Sequence, residues 1–135
     1  MASPVTARRV AFVCLHGSAK SVIAQAYWNR LAVARGLDMP AIAAGTEPDA
    51  EIPSRVSEGL RADGLDVRGQ RPRLATREDL AGAWRIVAFG CDLRTAAPPG
   101  VPVERWDDVP AVSDGFAAAR DAIVARVSAL LAEAT

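Results

Sequence analysis

The chain has 135 residues, half of them hydrophobic, and its sixteen basic and sixteen acidic residues cancel to a formal net charge of zero at pH 7. That length supports one domain with its own core, and the neutral balance gives no electrostatic case for nucleic acid or a membrane surface as partner. No apolar run approaches the ~20 residues of a membrane span, and the N-terminal stretch lacks the apolar centre of a secretory signal, so a cytoplasmic location is expected.

In chain order, residues 1–8 read as a loose lead-in and residues 9–14 as a short buried strand, with Val10, Ala11, Phe12 and Val13 in an unbroken apolar run. Residues 21–35 read as a helix, with Val22, Ile23, Ala26, Tyr27, Arg30, Leu31 and Ala34 at helical spacing and Gly36 as its stop. Residues 41–44 form a second strand, ended by Gly45 and Thr46. Pro53 suits a helix start, Val56 and Leu60 give that helix an apolar face, and Gly64 ends it. Residues 66–76 form a basic loop carrying Arg68, Arg71 and Arg73. Its plain reading is a solvated connection; its functional reading is an approach surface for an anion.

Thr76 and Asp79 have the spacing of a capping box for a short helix. Residues 85–90 form a third strand, 96–100 a Pro-rich surface loop, and 101–106 contain a fourth strand. Residues 113–133 form the last helix, capped by Ser113 or Asp114, with Phe116, Ala119, Ile123, Val127 and Leu130 inward. Strands alternate with helices, so the expected fold is a single α/β domain over 1–135: a four-stranded parallel sheet with helices on both faces. In such sheets ligands sit at the carboxyl ends of the strands. Cys14, Cys91 and the pair Asp107 and Asp108 all follow strands there.

The most informative stretch is Cys14-Leu15-His16-Gly17-Ser18-Ala19-Lys20-Ser21, a strand-to-helix turn. It holds the chain's single His and its single Lys; the other fifteen basic residues are Arg. A helix N-terminus leaves N–H groups unpaired and carries partial positive charge. Small residues let those groups converge on an anion. A thiol in that field favours its thiolate and gains nucleophilicity. The stretch therefore reads as an oxyanion pocket with a cysteine at its floor, built from Leu15, His16, Gly17, Ser18, Ala19, Lys20 and Ser21. The plain alternative is a buried cysteine ending a core strand above a capped helix. A Walker A loop is excluded, because Ala19 stands where that motif needs Gly before its Lys.

With these residues in view, the chain resembles the low-molecular-weight protein tyrosine phosphatases and the thioredoxin-type arsenate reductases of the same fold. The family's anion loop is Cys, five residues, Arg, Ser; here Cys14 is followed by five residues, then Lys20 and Ser21. Ala44-Gly45-Thr46 resembles the family's turn after the second strand, and Gly17 stands where the family holds a left-handed residue. The resemblance implies Cys14 as nucleophile, Ser21 as its hydroxyl partner and a small anionic substrate: a phosphate ester, phosphate or arsenate. It implies no cofactor and no metal.

The departures fall on the chemistry. Lys20 is a point charge and cannot bind two oxygens as Arg does; it either weakens phosphoryl transfer or serves another reaction, as a proton carrier beside His16. The family's Asp-Pro acid falls on Ala111-Val112. Asp107 or Asp108 is the substitute, Asp108 preferred; a solvated acidic turn is the other reading. Glu47 and Pro48 replace an aromatic wall, which argues against phosphotyrosine. Cys91 resembles the first relay cysteine of the reductases, with a small thiol or a thioredoxin-type protein as reductant; otherwise it is a buried strand-end cysteine. Three functions stand: a phosphatase-like enzyme, an arsenate reductase using Cys14 and Cys91, or an anion-binding module without turnover.

Overall fold

The computed structural model describes residues 8–93 and 96–135; the lead-in expected for 1–8 lies outside them except for Arg8. Four strands form one parallel sheet in the order β2-β1-β3-β4: β1 is Arg9–Cys14, β2 Ala41–Gly45, β3 Ala83–Ala88 and β4 Val103–Arg105. β1 runs down the centre, paired with β2 from Val10↔Ala41 to Cys14↔Gly45 and with β3 from Arg9↔Ala83 to Val13↔Ala88. The third strand starts two residues earlier than its apolar run suggested, and the fourth is only three residues long.

Alternation along β1 feeds two cores, because successive side chains in a strand point to opposite faces. Val10, Phe12 and Cys14 join a large cluster under α1 (Lys20–Ala34), α2 (Ser54–Ala62) and α4 (Phe116–Ala134). Ala11 and Val13 join a smaller one with Leu80 of α3 (Arg77–Ala81), Ile86, Ala88 and Cys91. Helices cover both faces, as expected, but the load is uneven. Phe12 is fully buried at the centre of the larger cluster, with ring centroids of Trp28, Phe89 and Trp106 at 6.3, 6.4 and 5.9 Å. No helix among the described residues is long and apolar enough to cross a membrane.

Three helical details differ from the sequence reading. On α1 the fully buried side chains include Ala24 and Trp28, and Ala32 is nearly so, whereas Arg30 is exposed and donates to Asp63 O. α1 lies between the sheet and α4, so its buried face is wider than one stripe. Thr76 does cap α3, accepting from Asp79 N at 3.1 Å, but the Asp79 carboxylate receives Arg73 instead of closing the box. Ser113 and Asp114 do not cap α4; they lie in a short 3-10 turn, Val112–Asp114, and Gly115 takes the N-cap position.

One backbone contact places the functional loop. Gly17 has φ +61, and a Cβ there would lie 2.6 Å from Gly45 N. A Cβ on Gly45 would lie 2.5 Å from Gly17 N. The two segments touch backbone to backbone, which only glycine permits. Behind the contact, Thr46 N, Glu47 N and Asp49 N donate to the carbonyls of Cys14, Leu15 and His16 at 3.3, 2.8 and 3.0 Å.

Gly45→Ala is expected to destabilise the fold by more than about 2 kcal/mol, since backbone atoms must move. Gly69→Ala, at φ +85 with nothing within 4 Å of the added Cβ, should cost only the left-handed strain of roughly 1–2 kcal/mol. Urea unfolding of both variants checks the order; equal losses would mean that the close approach carries no weight.

Candidate functional site

β1 ends at Cys14 and α1 begins at Lys20, so the five residues between strand and helix turn over the carboxyl edge of the sheet. Cys14 is nearly buried, and its Sγ lies 3.0 Å from Ser21 Oγ, itself fully buried. The first N–H groups of α1 have no carbonyl one turn back, and its first turn holds no acidic residue. The positive end of α1 therefore acts on the loop without a competing side-chain anion from that turn.

A cavity of about 540 Å³ opens above this loop. Cys14, Leu15, His16, Ser18, Ala19 and Lys20 form one side. Pro53, Ser54, Arg55 and Val56 at the start of α2, with Asp49 before them, form a second. Phe89 and the segment Ala111, Val112 and Ser113 complete it. The wall is mostly apolar, with the thiol, one imidazole, one carboxylate and two cations set into it.

Both cations bind main-chain carbonyls of one segment. Lys20 Nζ donates to Val109 O at 2.9 Å. Arg55 donates to Val112 O and Ser113 O at 3.3 and 2.7 Å. Together they hold residues 109–113 across the cavity from Cys14. Lys20 thus lies in the loop as expected but ties the far wall with one of its three N–H donors, leaving two.

The expected acid is not brought to the site. Asp108 is exposed and turned to α4, where Arg126 donates to its Oδ2 at 2.6 Å. Asp107 accepts from Gly90 N at 3.0 Å and pairs with Arg105 at the same distance. Neither carboxylate lines the cavity; from that connection the sheet edge presents Ala111, Val112 and Ser113 instead. Cys91 does not line this cavity either. It is buried in the smaller core, and its Sγ lies 3.5 Å from the carbonyl of Val13, the residue before Cys14. Burial pushes its thiol pKa up, and the nearby Cys14 charge adds to that. The basic loop 66–76 has its own shallow pocket, with Arg68 and Arg71, and Arg68 spends its guanidinium on Asp66 at 2.8 Å.

The residue that sequence reasoning missed is Asp49. It lies on an irregular stretch after β2, where no periodicity points to it, yet it lines the cavity and accepts from Ser18 Oγ at 2.8 Å. Phe89, expected inside the third strand, lies just past the end of β3 at Ala88, and its place in the cavity wall carried no sequence signal. Among the described residues no group of three or more His, Cys, Asp or Glu could hold a metal ion.

The family model described as low molecular weight phosphotyrosine protein phosphatase matches residues 9–99. Among solved structures, a Corynebacterium glutamicum thioredoxin-dependent arsenate reductase is similar with 25% identity and a TM-score of 0.81. The match covers 98% of this chain but 63% of that one, so this chain spans less than two thirds of its length. YfkJ from Bacillus subtilis is 26% identical, with 93% and 92% of the two chains covered and a TM-score of 0.80. A low molecular weight protein tyrosine phosphatase from T. tengcongensis shares the fold at a TM-score of 0.84, with 21% identity over 93% and 99% of the chains. Among curated protein sequences, none matches the chain.

At neutral pH, Cys14 should be alkylated by iodoacetamide well before Cys91, since the raised pKa of Cys91 keeps it as thiol and thiolate is the reacting form. Mass spectrometry of digested, partly alkylated protein reads the order; faster labelling of Cys91 would contradict it.

Proposed function

Because the chain belongs to the low molecular weight phosphotyrosine protein phosphatase family, we propose that it is a cysteine-dependent enzyme acting on a small phosphomonoester or oxyanion at the Cys14 loop. One observation carries this reading: Cys14 Sγ stands 3.0 Å from Ser21 Oγ, beside the start of a helix and facing a cavity. The Ser21 hydroxyl donates to the thiolate and stabilises it as attacking and leaving group. The N–H groups from Leu15 to Ser21 receive the equatorial oxygens of the transferring group, which gather negative charge in the transition state. Lys20 supplies positive charge beside them with the donors that Val109 does not use.

The apolar wall of Pro53, Val56, Phe89 and Val112 suits a substrate with a carbon body behind its anionic head. With Asp108 engaged by Arg126 outside the cavity, this reading gives it no part in proton transfer.

Arsenate reduction is the second reading. It is favoured by the likeness to an arsenate reductase at 25% identity and by Cys91, whose Sγ lies 3.5 Å from the carbonyl of Val13, the residue before Cys14. In it Cys91 attacks the Cys14 adduct, and a small thiol or a thioredoxin-type protein reduces the resulting disulfide. A module that binds phosphate without turnover is the third outcome of the tests.

Cys14→Ser should lower turnover of an aryl phosphate by about a thousandfold or more, measured against wild type at saturating substrate. Equal rates would remove Cys14 from the mechanism. Lys20→Met should cut kcat/KM by about a hundredfold, the scale of one lost oxyanion donor. For the second reading, Cys91→Ser should abolish arsenate reduction in the presence of a thiol system. Unchanged reduction in that variant would end the relay, and wild-type phosphate binding without any turnover would favour the binding module.

A further inference from the structure

The cavity rim carries an ionisable pair that the nucleophile, its hydroxyl partner and the cation do not use. His16 Nδ1 lies 3.2 Å from Glu47 O and 3.4 Å from Asp49 Oδ1. Asp49 is itself fixed twice: its Oδ2 accepts from Ser18 Oγ at 2.8 Å, and its N–H donates to His16 O at 3.0 Å. Ser18 is nearly fully buried, so the carboxylate is anchored to the floor of the loop. Both side chains line the same cavity as Cys14 and remain about half exposed.

The tautomer follows from the partners. A carbonyl oxygen and a carboxylate can only accept, so Nδ1 carries its proton in both charge states. Nε2 is then the ring nitrogen free to exchange a proton with a bound substrate, and the carboxylate behind Nδ1 fixes the orientation of the ring. The other charged or titratable groups lining the cavity are Cys14, Lys20 and Arg55, and the two cations are each bound to carbonyls of residues 109–113.

We propose that His16 is the general acid and base of this site and that Asp49 is its positioning residue. The inference rests on the proposed phosphomonoesterase function. In the first step the Cys14 thiolate forms a bond to phosphorus. The bond from phosphorus to the ester oxygen breaks, and that oxygen takes the proton from His16 Nε2. In the second step neutral His16 accepts a proton from water as the water oxygen attacks phosphorus. The sulfur–phosphorus bond breaks, inorganic phosphate leaves and the thiolate returns. No oxidant, reductant or metal is needed for this balance.

The test compares phenyl phosphate, whose leaving group needs a proton, with p-nitrophenyl phosphate, whose leaving group needs it far less. His16→Gln should lower kcat/KM about a hundredfold on phenyl phosphate and less than about tenfold on p-nitrophenyl phosphate. The alkaline fall of the wild-type rate on phenyl phosphate should vanish in His16→Gln. Asp49→Asn should lower kcat/KM more on phenyl phosphate than on p-nitrophenyl phosphate, because the ring loses the carboxylate that orients it, and Asp49→Glu should restore part of the loss. Equal losses on both esters with the alkaline fall retained in His16→Gln would overturn the proposal while Cys14→Ser, inactive on both, left the phosphomonoesterase reading standing. Wild type active on neither ester would overturn both. Inorganic phosphate affinity, measured in parallel, reports loop shape; if His16→Gln no longer binds phosphate, the ester preference of Asp49→Asn decides, and equal losses on both esters count against the proposal.

Discussion

Gly17 and Gly45 touch through their backbones, and the Cys14 loop at the carboxyl edge of the sheet is arranged around that contact. A side chain at either position would drive the Cys14 loop away from the edge of the sheet. With both glycines in place, three successive N–H groups from residues 46 to 49 reach three successive carbonyls from 14 to 16. The loop is thereby held on its outer side by these bonds and at its start by β1. This matters for anion chemistry, because aimed N–H dipoles act without reorganisation only when the chain bearing them cannot relax.

The same ladder decides which side chains reach the cavity. It brings Asp49 back beside His16 and Ser18, although 31 residues separate Ser18 from Asp49. Across the cavity the logic is reversed: side-chain cations hold main-chain carbonyls. Lys20 and Arg55 grip residues 109–113, a stretch with little regular structure of its own. An Arg at position 20 would offer a planar fork; Lys gives one directed bond to Val109 and keeps donors in reserve. The departure from the family pattern at Lys20 thus coincides with the place where the loop and the far wall are joined.

Much of this was legible in the sequence, for identifiable reasons. β1 and its loop could be read because the apolar run, the small residues and the singular Lys20 and His16 are all local. The parallel sheet with helices on both faces followed from the alternation of strands and helices, though its strand order did not, and the family resemblance pointed to the left-handed turn at Gly17. The rest depended on contacts distant in sequence. Arg30 sits at helical spacing with inward residues, yet α4 covers a different arc of α1 and leaves it outside. Asp108 is next to Asp107 in the chain and near the expected place, but Arg126 of α4 holds it away from the cavity. Asp49 follows Pro48 in an aperiodic segment, and only the pairing of that segment with residues 14–16 gives it a role.

The bond from Lys20 to Val109 spans 89 positions, and that interval has a temporal meaning. Chains are made from the N-terminus at about 5–20 residues per second. The thiol, its hydroxyl, the loop and the backing from 46 to 49 all emerge while the far wall does not yet exist. Every pairing in the sheet is parallel and needs a crossover, so assembly relies on non-local closure, which is slow. On the ribosome, then, Cys14 and its loop exist before residues 109–113, the segment that faces them across the cavity.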